Sequence, residues 1–155
     1  MKIAVVGTGM IAREALGALR VVGGVKIPVL CARPHSREKA EHMAQEFDIP
    51  HVVTDYAELL ASHAADFVYL GIVNSAHFDY ARQAISAGWN AIVEKPFAST
   101  LAETEELIAR ARAAQSYVFE AMTPLYMPNF RGIVERLPLL GIVRLVQANF
   151  SQDSS

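Results

Sequence analysis

Apolar residues in this chain fall into short blocks, and the stretches between the blocks carry apolar residues at helical spacing. Ile3-Ala4-Val5-Val6 is the first block; after Gly7-Thr8-Gly9, residues Ile11, Ala12, Ala15, Leu16 and Leu19 recur at the i, i+3, i+4 spacing of a helix face. The alternation continues. A second strand is expected over 29–32, with Pro28 at its entrance because proline cannot donate to a sheet ladder. Ser36 is placed to cap a helix to about Phe47, 51–53 reads as a third strand, and Asp55 with Glu58 frames a short helix as a capping-box-like pair. The unbroken apolar run over 66–73 suits a central parallel strand, buried on both faces. A helix over 77–87 closes at Gly88, and a fifth strand, 91–93, ends in Glu94-Lys95-Pro96. Thr100 and Glu103 then cap a helix to about Ala114, and 117–120 is a sixth strand.

Six strands alternating with helices predict the α/β class: a doubly wound parallel sheet of the Rossmann kind, with ligands bound beyond the carboxyl ends of the strands. Residues 1–122 are assigned to that domain. The pattern then changes. Pro128-Asn129 opens a helix to about Leu137, and Gly141 precedes an expected strand over 142–150. These read as the first helix and strand of a second α+β domain, incomplete over 123–155, whose unpaired strand edge would recruit a neighbouring strand.

Composition narrows the partners. A chain of 155 residues, 52% apolar, fills one core of ordinary size, and a formal charge of -2 with interspersed signs offers no basic stripe for nucleic acid and no polybasic membrane patch. Cys31 is the only cysteine, which excludes an intramolecular disulfide and a cysteine-cluster metal site. No metal is expected. No uncharged stretch approaches the roughly 20 residues of a membrane span, so a small-molecule partner and a cytoplasmic location are expected.

Candidate chemistry sits where the strands end. In Gly7-Thr8-Gly9-Met10-Ile11-Ala12, a strand precedes the turn and a helix follows it, the context a dinucleotide-binding turn requires. Gly7 permits the sharp turn, Gly9 lets a pyrophosphate approach the backbone, and Ala12 lets helix and strand pack closely. The phosphates would meet the free N–H groups of Met10 and Ile11 at the positive end of the helix. The second strand ends in Arg33 rather than the acidic residue that holds a ribose diol. With Ser36 and Arg37 it would surround a ribose 2'-phosphate, which points to NADP; Arg33 stacked on adenine, with NAD held by backbone contacts, is the alternative. Glu94-Lys95-Pro96 ends a central strand beside the expected nicotinamide position. Lys95 there can give a proton to a carbonyl oxygen or take one from an alcohol, although a surface Glu-Lys pair would account for the same residues.

These motifs, with Asp55-Tyr56, Asn74-Ser75-Ala76-His77, Ala87-Gly88 and Phe119-Glu120-Ala121-Met122, resemble the N-terminal domain of the Gfo/Idh/MocA oxidoreductases, and among them the dimeric dihydrodiol dehydrogenase-like members. The resemblance implies that Lys95 is the active-site lysine, that Glu94 and Val73-Asn74 lie on the nicotinamide ribose side, and that His77 supports the crevice. It also implies a sugar, cyclitol or diol substrate bound with the help of a second domain, and a homo-oligomer. One departure stands out: Ile72-Val73 replaces the family's usual hydroxyl residue and proline before the asparagine, which removes a hydroxyl. A non-catalytic dinucleotide-binding module acting through a protein partner is the competing reading.

Overall fold

Burial follows the strand period. Along β1 (Ile3–Val6), Ile3 and Val5 pack on one face of a sheet while Ala4 and Val6 pack on the other. β2 (Val29–Cys31), β3 (His51–Val53), β4 (Phe67–Leu70), β5 (Asn90–Val93) and β6 (Val118–Glu120) complete the sheet. Their order is β3-β2-β1-β4-β5-β6, and every neighbouring pair is parallel. This computed structural model describes residues 1–149 and 151.

Helices cover both faces. α1 (Met10–Arg20) and α2 (Arg37–Glu46) bury Ala12, Leu16, Ala40 and Met43 against Ile3, Val5 and Leu30. α3 (Tyr56–Ser62), α4 (His77–Ser86) and α5 (Leu101–Ala113) bury Leu59, Leu60, Ala81, Ile85 and Leu107 against Ala4, Val6, Val68 and Leu70. Caps mark the starts of two of them. The Asp55 carboxylate accepts from the N–H groups of Ala57 at 2.7 Å and Glu58 at 3.1 Å. Thr100 and Glu103 cap α5 reciprocally, as their spacing predicts. Ser36 occupies the capping position of α2 but its side chain caps nothing: Pro34–Ser36 winds into a 3₁₀ turn closed by the Ser36 N–H on the Arg33 carbonyl, at 2.8 Å. The expected strand over 66–73 stops at Leu70, because Gly71 leads the chain out of the sheet.

The chain passes from β3 across β1 to β4, so the direction of winding reverses between β1 and β4. Carboxyl ends that diverge at such a point leave a crevice.

A second unit begins at Met122. It contains a 3₁₀ turn at Thr123–Tyr126, α6 (Pro128–Arg136) and another 3₁₀ turn at Leu137–Leu140. The strand expected over 142–150 does not form over 142–149, and Phe150 lies outside the described residues. Apolar residues of high strand propensity make a strand only when another backbone pairs with theirs, and no ladder partner for this segment exists among the described residues.

Candidate functional site

A crevice of about 680 Å³ opens at the β1/β4 switch. Its wall is the β1–α1 turn, and the two glycines there differ in kind. Gly7 has φ +119°, and a Cβ on it would stand 2.2 Å from the Gly71 carbonyl oxygen. The fold itself demands that glycine. A Cβ on Gly9 would meet nothing within 4 Å. Its bareness serves no neighbour in the protein and leaves open the space a pyrophosphate needs against the backbone. Gly71 and Ala12 keep helix and sheet close: a Cβ on Gly71 would lie 3.2 Å from the Ala12 Cα.

α1 supplies the charge. Its first intrahelical bond runs from the Arg13 N–H to the Gly9 carbonyl, so the N–H groups of Met10 and Ile11 have no intrahelical acceptor. No acidic side chain in the first turn offsets that positive end. Together these features accommodate a dinucleotide pyrophosphate.

At the β2 end, Arg33, Pro34, Ser36 and Lys39 line the crevice. Arg37 does not. Its Nε donates to Glu41 Oε1 at 2.8 Å, and the side chain lines a separate shallow depression with Glu41, Gln45 and Asp48. The 3₁₀ turn sets this phase: α2 starts at Arg37, which puts Ser36 and Lys39 three residues apart on one side and Arg37 and Glu41 on the next. Sequence reasoning missed Lys39; its signal was the i, i+3 spacing from Ser36 on the helix that Ser36 was expected to cap. Cys31, Thr54, Tyr56 and Tyr80 form the inner wall, with the Tyr56 hydroxyl donating to the Tyr80 carbonyl at 2.9 Å. Burial, and then Asp55 and Glu58, push the Cys31 thiol up to about 12, so it stays protonated and inert.

At the other end, Ile72 and Val73 line the crevice, whereas Asn74, His77, Glu94 and Lys95 stand outside its lining. They form a tied cluster. The Tyr69 hydroxyl donates to Glu94 Oε1 at 2.5 Å, and the Lys95 N–H reaches Glu94 Oε2 at 3.2 Å. Burial and the bond to Glu94 hold the Tyr69 phenol well above its usual range, so it remains a donor. Fully buried His77 places Nδ1 2.8 Å from the Pro96 carbonyl and Nε2 3.2 Å from the Ile72 carbonyl. It thereby joins the loops after β4 and β5. The Lys95-Pro96 peptide is cis. Beyond it, the Phe97 N–H donates to Glu120 Oε1 at 2.9 Å, and the N–H groups of Ser99 and Thr100 donate to Glu103 Oε2 at 2.8 and 3.1 Å. The exposed Lys95 ammonium has no ion-pair partner among the described residues. Glu120 was missed as a site residue; an acidic residue at the carboxyl end of a strand was its signal.

A family profile described as an oxidoreductase family with an NAD-binding Rossmann fold, Gfo/Idh/MocA, matches residues 1–122. The uncharacterized oxidoreductase YgjR of Escherichia coli is 37% identical over 155 residues, which are all of this chain and 47% of YgjR. The scyllo-inositol 2-dehydrogenase (NADP(+)) IolU of Bacillus subtilis is 32% identical, again over the whole chain and 47% of IolU. Among solved structures, a variant of the 3-ketoreductase KijD10 from Actinomadura kijaniata, in complex with TDP-benzene and NADP, superposes with a TM-score of 0.84 at 25% identity, over 93% of this chain and 44% of KijD10. The chain thus spans less than half the length of these proteins. No helix among the described residues is long and apolar enough to cross a membrane.

Proposed function

The chain belongs to the Gfo/Idh/MocA oxidoreductase family, and on that footing we propose that it is the cofactor-binding part of an NADP-preferring dehydrogenase acting on a secondary alcohol of a sugar, cyclitol or diol. The open Cβ position at Gly9, beside an uncompensated helix N-terminus in the crevice, carries this reading. Gly9, Met10 and Ile11 hold the pyrophosphate through backbone N–H groups, and Arg33 with Ser36 faces the ribose 2'-phosphate. Val73, Asn74 and Glu94 bound the nicotinamide ribose side. When bound, the dinucleotide supplies or accepts a hydride at its nicotinamide ring. Lys95 moves the accompanying proton to or from the substrate oxygen, and the Glu94, His77 and Glu120 contacts hold its loop in place. IolU, which acts on an inositol with NADP(+), and KijD10, a ketoreductase seen with NADP, support the substrate class and the cofactor preference. Residues from 123 onward begin the substrate domain of a homo-oligomer, and a single buried cysteine suits a reducing cytoplasm.

Calorimetric titration with NADPH and NADH tests the reading. Charge-assisted bonds to a phosphate are each worth about 1.5–3 kcal/mol, so NADPH should bind at least about tenfold tighter. Equal affinities would remove the NADP preference, and no binding of either would remove the function.

A further inference from the structure

We propose that Lys39, and not Arg37, is the second cation that selects a 2'-phosphorylated dinucleotide. The proposal rests on the NADP-preferring reading above and names the residue that enforces it. Two observations carry it. Lys39 lines the crevice beside Arg33 and Ser36, and it has no ion-pair partner among the described residues. Arg37 is already engaged with Glu41 at 2.8 Å and lines a different depression, together with Asp48. The acidic surroundings of Arg37 oppose an incoming phosphate dianion, whereas Arg33 and Lys39 add their fields on the same rim.

The chemistry of the two cations also differs usefully. Arg33, at the end of β2, presents a planar fork that can grip two phosphate oxygens; Lys39 is a compact charge on a flexible stem, which needs only to reach the same phosphate. Recognition of this kind is strongest where a cation has no competing partner in the free protein, because nothing has to be broken to bind. Helical phase makes the assignment specific. Ser36 and Lys39 are three residues apart and share a side of α2, while Ala40 and Met43 turn inward to the core. Any shift that brought Arg37 to the crevice would pull that buried face out of register.

Affinities of NADPH and NADH for the protein, Lys39→Met and Arg37→Ala, measured by calorimetry at two salt concentrations, test the proposal. Methionine keeps an apolar stem and removes the charge. Lys39→Met should weaken NADPH about tenfold, leave NADH within about twofold and flatten the salt dependence of NADPH binding, while Arg37→Ala should change neither cofactor beyond about twofold. Adenosine 2'-monophosphate and adenosine 5'-monophosphate, used as probes, should show the Lys39→Met loss for the 2'-phosphate alone. NADPH affinity unchanged in Lys39→Met overturns the proposal, as does an equal loss for NADPH and NADH. A tenfold loss in Arg37→Ala with none in Lys39→Met returns the role to Arg37. A wild type that binds both cofactors equally brings down the underlying reading as well, and is told apart by needing no variant at all.

Discussion

At the β2 end of the crevice Arg33, Ser36 and Lys39 stand at the surface, with neither cation in an ion pair among the described residues. At the β5 end, Tyr69, His77, Glu94 and Glu120 are all committed to polar contacts between 2.5 and 3.2 Å. The first arrangement can rearrange around a ligand and costs little to leave empty. The second cannot move one member without unsatisfying another. Selecting a ligand by charge tolerates adjustable side chains, whereas placing a proton donor against a reacting oxygen demands geometry fixed beforehand. The turn between the two ends shows the same division within three residues: Gly7 is required by the fold, whereas no neighbour in the protein requires Gly9.

The largest effects should come from breaking that division. Gly9→Val should weaken cofactor binding beyond about 100-fold in calorimetry while the thermal midpoint stays near wild type, because a Cβ there meets nothing within 4 Å. Gly7→Ala should do the reverse, lowering the midpoint sharply in circular dichroism, since its Cβ would collide with the Gly71 carbonyl. If both variants lost binding and stability alike, the distinction between the glycines would be wrong.

Next in size is Lys95→Met in the complete enzyme, expected to lower kcat about 100-fold or more with cofactor Kd nearly unchanged. Steady-state kinetics beside a titration separates the two. His77→Ala should cost about 1–3 kcal/mol in denaturant unfolding, as the two loops lose their shared partner. Retention of full stability would make His77 a bystander.

Cys31 comes last because its effect is absent at neutral pH and appears only in alkali. Folding holds its proton up to about 12, whereas the unfolded chain releases it near the ordinary 9.0. The native state therefore binds more protons between those values, and stability is lost as pH rises through that window. Cys31→Ala should flatten this alkaline fall, as followed by urea midpoints from pH 8 upward.

Much of this was legible in the sequence because the relevant signals are local. The order strand, Gly7-Thr8-Gly9, apolar-periodic helix placed the crevice wall, and six apolar blocks placed six strands. Lys39 was missed although the Ser36 cap already placed the start of α2 at Arg37: which of the neighbouring cations faces the crevice depends on where the crevice lies against that helix, and only the assembled sheet shows that. The clamp on the β5 loop was hidden for another reason: Glu120 lies 23 residues from Phe97, a pairing that only sheet order reveals. The segment 142–149 misled because apolar, β-branched residues signal an available strand without supplying the strand that would pair with it.

The carboxylates of Glu120 and Glu103 hold the amides of Phe97, Ser99 and Thr100, in a stretch with no regular secondary structure. In hydrogen exchange that stretch should behave as an island of slow amides between two elements, rather than as a loop. It also follows that the lysine is not a portable module. Transplanting Glu94-Lys95-Pro96 onto another parallel sheet would carry the charge without its mount, because the mount is spread over β4, α4, α5 and β6.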